Sequence, residues 1–296
     1  VGALSAELDK IDTRASQEQL HQLAATAGQM GVTAQEDILG FVRAANQLTV
    51  ALDELGEDGV ETLVKINELT GETDKLGLER ALLASGSAIN ELSAASAASA
   101  GPIADVISRL GGIGAASNLA TADLAALGAT ADALGQSSEV AGSSLGKFIG
   151  TLVSKSDQVA HAVGIDRQYL KGLIDQGNTM EAMIAVFEKM EKMGGFAKLA
   201  PIMGDLGSEG ARASALFAAF AGNVDLLKSQ VDVSRTAFAE ATSVTREYAT
   251  VNETAAALVE RMGNSIREFF VNSGVVEWIT NLLRALMNLP QWLDKN

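Results

Sequence analysis

A few groups of residues in this chain have the types and spacing that chemistry needs. Gly142-Ser143-Ser144-Leu145-Gly146 matches the G-x-S-x-G pattern of a nucleophile elbow. That pattern works when a strand-to-helix turn lifts a serine to a helix N-terminus beside an oxyanion hole. Here both flanks read as helix. The only histidines available as a base are His21 and His161. An enzymatic reading would make Ser143 the nucleophile, but close packing of small residues on a helix accounts for the stretch better. Neither histidine has a second one four residues away, so neither shows zinc-site spacing. Gly111-Gly112-Ile113-Gly114 invites a phosphate loop, yet no Lys-Ser/Thr follows and no strand precedes it. A helix end and turn is the expectation there.

The carboxylate pairs Glu36-Asp37, Asp53-Glu54 and Glu57-Asp58 could serve glycoside hydrolysis in a cleft. They stand beside caps or in glycine turns, where acidic residues favour helix N-termini and solvent. Asn252-Glu253-Thr254 is a formal glycosylation sequon inside a predicted helix start. No catalytic residue, cofactor site or metal ligand is therefore assigned, and the chain is expected not to be an enzyme. A contact role falls instead on an apolar stretch near the end. Phe269, Phe270, Val276, Trp278, Ile279, Leu282, Leu283, Leu286 and Trp292 would meet a membrane or a partner protein.

The elements that must position these residues are helices. Hydrophobic residues make up 47% of the 296, aromatic residues only 4%, and there are three prolines. Ala and Leu dominate, both strong helix formers, and small faces let helices approach closely. The expected fold class is all-α: an array of short and medium helices with glycine-rich turns and no sheet. A net charge of −15 repels phosphate backbones and argues against direct nucleic-acid binding. Cysteine is absent, which excludes disulfides and thiolate metal sites. No run of 18 apolar residues occurs, so an ordinary membrane-spanning helix is not expected. A first residue other than Met reads as a chain cut from a longer protein.

Residues 5–29 read as one polar amphipathic helix with a capping box, Ser16 and Gln19, in its middle. Further capping boxes are expected at Thr33 with Glu36, Asn178 with Glu181 and Thr250 with Glu253. Helical spacing predicts segments at 59–70, 78–98, 103–110, 121–134, 138–153, 156–163, 166–176, 178–193 and 208–221, then long helices over 223–271 and a strongly apolar one over 275–289. Breaks are expected at Gly71 to Gly77, Gly101-Pro102 and Gly111-Gly112. The heptad pattern lasts only a few turns, so no continuous coiled coil is expected across the whole chain. Three regions result: a polar helical lead-in (1–30), a first helical block (31–154), and a second block with the apolar C-terminal helix (155–296).

The order of these pieces resembles a known family. The run carried by Leu124, Leu127, Gly128, Leu134, Gly135, Glu139, Val140, Gly142 and Leu145 is similar to the core region of phage tail tape measure proteins of the TP901 type. Met203, Gly204, Gly210, Ala211 and Leu216 resemble a later element of that core, and 248–270 resembles its closing helix. The resemblance covers about 30–289; the first 30 residues carry little of it. It implies a virion structural component, made in the host bacterial cytoplasm and built into the tail. It also implies a ruler and scaffold around which the tube protein polymerises, with a part in genome ejection. Implied partners are the tail tube protein, tail assembly chaperones, distal tail or baseplate proteins, further copies of itself in a homo-oligomer, and the host membrane. The alternative is a membrane-active or pore-forming helical protein.

Overall fold

The computed structural model describes residues 2–194 and 211–254, together with 258, 259, 262 and 263. Every regular element among the described residues is a helix, and no strand occurs among them. In chain order they are α1 (Gly2–Leu8), α2 (Gln17–Gln29), α3 (Gln35–Ala51), a 3-10 turn (Asp53–Leu55), α4 (Gly56–Leu69), α5 (Glu72–Leu76), α6 (Leu78–Ala95), α7 (Ala100–Ala116) and α8 (Thr121–Ala133). Then come α9 (Ser138–Ser154), α10 (Ser156–Val163), α11 (Arg167–Asp175), α12 (Thr179–Met193), α13 (Ala211–Gly222), α14 (Val224–Glu240) and α15 (Ser243–Asn252). The longest, α6, has 18 residues; at the usual rise it spans about 27 Å.

Packing radiates from α7 and α8. Helix α7 lies against α4, α8 and α9, and α6 joins α3 and α4 to α8. Helix α14 lies across α6 and α8, and α15 across α3 and α6. Helix α8 has no polar face: every residue from Thr121 to Ala131 is buried. A helix buried all round must be surrounded, and α6, α7, α9 and α14 surround it. On the far side of α9, Phe148, Phe187, Phe217 and Phe220 form a ring cluster with centroids 5.2–6.0 Å apart. One connected apolar core runs from Leu8 to Val244.

Several local expectations change. The 5–29 helix is two helices, α1 and α2, because Ser16 caps rather than interrupts. Its side chain accepts from the Gln19 N–H, and Gln19 reaches back to the Ser16 N–H at 2.8 Å. Thr33 does not cap α3; the cap position is Ala34, which has no side chain to offer. Asn178 makes no side-chain cap either. Thr250 sits inside α15, where its hydroxyl donates to the Arg246 carbonyl at 3.0 Å, and Glu253 ends that helix. The break at 71–77 holds the short α5 between two positive-φ glycines. Gly135 does close α8, donating its N–H to the Asp132 carbonyl at 2.8 Å with a φ of 71°.

Two buried polar nodes fix how these helices register. Asn67 on α4, fully buried, accepts from Ser85 on α6 at 2.7 Å and from Thr121 at the start of α8 at 3.0 Å. Asp123 on α8 is 5% exposed and accepts from Arg235 Nε on α14 at 2.7 Å; Arg235 also reaches Glu181 at 2.7 Å. Burial pushes the Asp123 carboxyl above its ordinary value of 3.8, while the Arg235 guanidinium and the Ala120 N–H pull it back. Burial would lower the Arg235 value, but its bonds to Asp123 and Glu181 outweigh that and raise it. Arg235 is thus what makes an ionised Asp123 tolerable at that depth.

Arg235→Met should destabilise the fold by about 2 kcal/mol at neutral pH, a buried-pair loss discounted for the half-exposed arginine. The folded-state carboxyl value is raised. Its contribution to stability is therefore full below about pH 4 and falls as pH rises through the folded value. In the variant the loss should accordingly be smaller near pH 4 than at pH 7, with Asp123→Asn recovering part of it. Denaturant titrations of the three proteins at both pH values check this; equal losses at the two would remove the charge argument.

Candidate functional site: a glycine-seamed helical hub

The glycines that suggested loops and elbows are contact points on helices. Gly111 and Gly114 lie inside α7, not at its end. A methyl group on Gly111 would stand 2.1 Å from Ile66 Cδ1 of α4, and one on Gly114 would stand 2.7 Å from Leu124 Cδ2 of α8. From the other side, a methyl on Gly142 of α9 would meet Arg109 Cβ of α7 at 2.6 Å. One on Gly128 of α8 would meet the Ile103 backbone of α7 at 3.1–3.2 Å. Helix α7 is therefore seamed to three neighbours at positions where an added Cβ would displace a neighbouring side chain (Gly111, Gly114, Gly142) or press on backbone (Gly128). An interior glycine costs a helix about 1 kcal/mol against alanine. Close approach of the axes offsets that cost through the contacts it permits.

Of the two serines in the elbow pattern, the one at its centre is packed in the interior and Ser143 is exposed. Ser144, the central serine, is buried on α9 at 5% exposure, and Ser143 Oγ donates to the Val140 carbonyl of its own helix at 3.3 Å. No strand frames them among the described residues. His161 lies in α10, beside an open hollow shared with Asp157, Gln158 and Arg167. His21 brings together what the sequence did not: Ser5 Oγ at 3.5 Å and Asp9 Oδ1 at 3.9 Å. Both approach the same ring nitrogen, Nε2, whereas a triad needs the serine on one nitrogen and the carboxylate on the other. The three groups are largely exposed and loosely spaced, and they do not make that geometry.

The carboxylate pairs stand where helix ends favour them: Glu36 and Asp37 in the first turn of α3, Glu57 and Asp58 in that of α4, Asp53 and Glu54 in the 3-10 turn. Among the described residues no group of three or more His, Asp or Glu side chains could hold a metal ion. The sequon asparagine, Asn252, ends α15 rather than opening a helix and is buried. Phe269, Phe270, Val276, Trp278, Ile279, Leu282, Leu283, Leu286 and Trp292 lie outside the described residues. No helix among the described residues is long and apolar enough to cross a membrane.

The sequence pointed to close helical packing around Gly142, but Gly111 and Gly114 read as a helix end and turn, and it gave no sign of Asn67 or the Asp123–Arg235 pair. The available signal was small residues recurring at three- and four-residue spacing inside apolar helices, which marks a close-packed seam. The polar nodes join residues 18–112 positions apart, and no local pattern announces them.

Such an assembly is, among the described residues, a close-packed all-helical scaffold. The chain matches the family of phage-related minor tail proteins over residues 3–206, more than half its length. It belongs to that family and is a structural component of the phage tail. No curated protein and no solved structure matches it.

Two glycines, one on α8 and one on α7, test the seam. Gly128→Ala should destabilise the fold by about 1–3 kcal/mol, because Ile103 offers backbone there and cannot turn aside. Gly112→Ala, with nothing within 4 Å of its new methyl, should stabilise by about 0.5–1 kcal/mol through helix propensity alone. Thermal melts of both variants decide; a destabilising Gly112→Ala or a neutral Gly128→Ala would remove the seam argument.

Proposed function

We propose that this chain is part of a tape measure protein, a scaffold that sets tail-tube length during assembly and takes part in genome ejection. The observation that carries this reading is the family match over 3–206, whose described residues form a succession of helices. The ordered glycine and leucine elements from Leu124 to Leu145 support it by their resemblance to a tape measure core. Its partners would be the tail tube protein, tail assembly chaperones and distal tail or baseplate proteins, with further copies of the same chain alongside.

The fold bears on how such a ruler works. As one straight helix, residues 2–252 would reach about 380 Å. Folded into one compact body of that size they measure roughly 45 Å across. Interior glycines weaken an isolated helix and help only when helices pack together. The folded body thus adds little length, and its glycines favour the compact form over the rod.

Excising residues 2–254 from the parent phage and measuring tails by electron microscopy tests the reading. Shortening by about 380 Å means the body is drawn out into the ruler. Shortening by roughly 45 Å means that it rides folded within the measured span. Tails of unchanged length would overturn a length-setting role for this chain.

The membrane-active alternative rests on the apolar stretch from Phe269 to Trp292. The chain's only two tryptophans, Trp278 and Trp292, both lie in it, so their fluorescence reports on that stretch alone. Contact with a bilayer during ejection predicts a blue shift when the full chain meets zwitterionic lipid vesicles. No shift and no co-sedimentation would remove the membrane reading and leave packing against a partner protein.

A further inference from the structure

We propose that the hollow between α9 and α13 binds a small phosphate-like oxyanion through Lys147, Arg212 and Ser144. The proposal stands apart from the role in tail length. Helix α13 packs on α9. Glu139, Ser143, Ser144 and Lys147 of α9 line the hollow on one side, and Arg212 of α13 lines it on the other. Its volume is about 190 Å³, below the roughly 300–1,000 Å³ of sites for drug-sized ligands. It suits an ion of a few atoms.

Ser144 carries the first part of the argument. It is 5% exposed, yet its hydroxyl makes no hydrogen bond among the described residues. A serine inside a helix commonly returns its hydroxyl to a carbonyl one turn back. Two others on α9 do so: Ser143 donates to the Val140 carbonyl at 3.3 Å, and Ser154 to the Gly150 carbonyl at 2.6 Å. Leaving a buried hydroxyl unpaired costs stability. An acceptor in the hollow whose wall Ser144 forms would remove that cost.

The two cations carry the second part. Lys147 and Arg212 are exposed, and neither makes an ion pair with a described residue. Acidic residues outnumber basic ones 37 to 22, and cations elsewhere find them. Arg43 pairs with Glu79, Lys228 with Glu188, Arg246 with Glu91, and Arg235 with Asp123 and Glu181. Two cations on one small hollow repel each other unless an anion stands between them. Arginine offers a planar fork of donors, lysine a point charge, and Ser144 a hydroxyl donor. That set suits an ion with several acceptor oxygens better than chloride.

Glu139 opposes such a ligand. It stands in the first turn of α9, about 12 Å along the axis from Lys147. The ion therefore sits toward the Lys147 end, and the Glu139 charge limits its affinity. Bound there, it ties α13, which begins beyond the family-matched stretch 3–206, to α9 within that stretch.

Calorimetric titration of the full chain with inorganic phosphate, at ionic strength held constant with sodium chloride, tests the proposal. Saturable binding at one site is expected. Lys147→Ala and Arg212→Ala should each weaken it at least about fivefold, and Ser144→Ala about threefold. Glu139→Gln, which removes only the opposing charge, should tighten it about threefold. Lys147, Arg212 and Glu139 are exposed, so melting temperatures without phosphate should stay unchanged in their variants and separate lost binding from lost fold. Glycerol phosphate as a second probe distinguishes the source: equal binding assigns the site to a phosphate monoester, and binding of inorganic phosphate alone assigns it to the free ion. Absence of saturable binding by either probe would overturn the proposal. So would binding that both cation variants retain, or that Glu139→Gln fails to tighten.

Discussion

At several glycines in this protein, atoms of a neighbouring helix fill the space that a side chain would need. Around α7 that happens on three sides, at Gly111 toward α4, at Gly114 and Gly128 in the seam with α8, and at Gly142 of α9. The same approach recurs at Gly86 of α6, where a methyl would meet Leu48 Cγ at 2.9 Å and Val244 Cγ2 at 3.0 Å. The rest of the architecture follows from this spacing. With α7 and α8 drawn together, α8 can be buried on every face, and α6, α9 and α14 can close around it. Dispersion contacts fall off steeply with a gap of even half an ångström, so a chain with few aromatic residues needs short axis distances to accumulate enough of them.

Much of this was legible in the sequence because the signals were local. Leu124, Leu127 and Thr121 announced α8 and Gly135 announced a stop; Ser16 with Gln19 announced a capping box, though one placed within a single helix rather than at the start of α2. The all-helical class followed from Ala, Leu and three prolines. What was not legible required knowledge of the neighbour. A glycine pair such as Gly111-Gly112 ends a helix when nothing lies against it and stays inside one when Ile66 packs on its face. Both outcomes share one local sequence. Thr250 with Glu253 fails as a cap for a related reason: α15 already has its start fixed at Ser243, whose hydroxyl lies between Asn90 and Glu91. Tertiary contacts chose the boundary, and the local box was left inside and at the end of the helix.

The contact residues assigned in the apolar stretch were read from composition alone, and that reading stands as a proposal about function. The rejected motifs show why composition is a weaker guide to chemistry than geometry. Ser5 and Asp9 are residues of the right types, each within 4 Å of the His21 Nε2. They are nonetheless not a catalytic arrangement, because serine and carboxylate compete for one nitrogen. A catalytic imidazole must be gripped on one side to act on the other.

A chain built so largely of Ala, Leu and Gly faces a difficulty of specificity. Many registers of one small-residue helix on another bury similar area, so apolar packing alone leaves near-equivalent alternatives. The buried polar groups separate them. If α6 slides by one turn, Ser85 leaves Asn67, and a buried amide loses a partner at a cost that no apolar contact repays. If α14 slides on α8, Asp123 loses Arg235 and stands ionised in the core. Each node therefore costs something in the native register and more in any other. Glycine seams decide how near the helices lie, and Asn67 and Asp123 decide at which turn they stop.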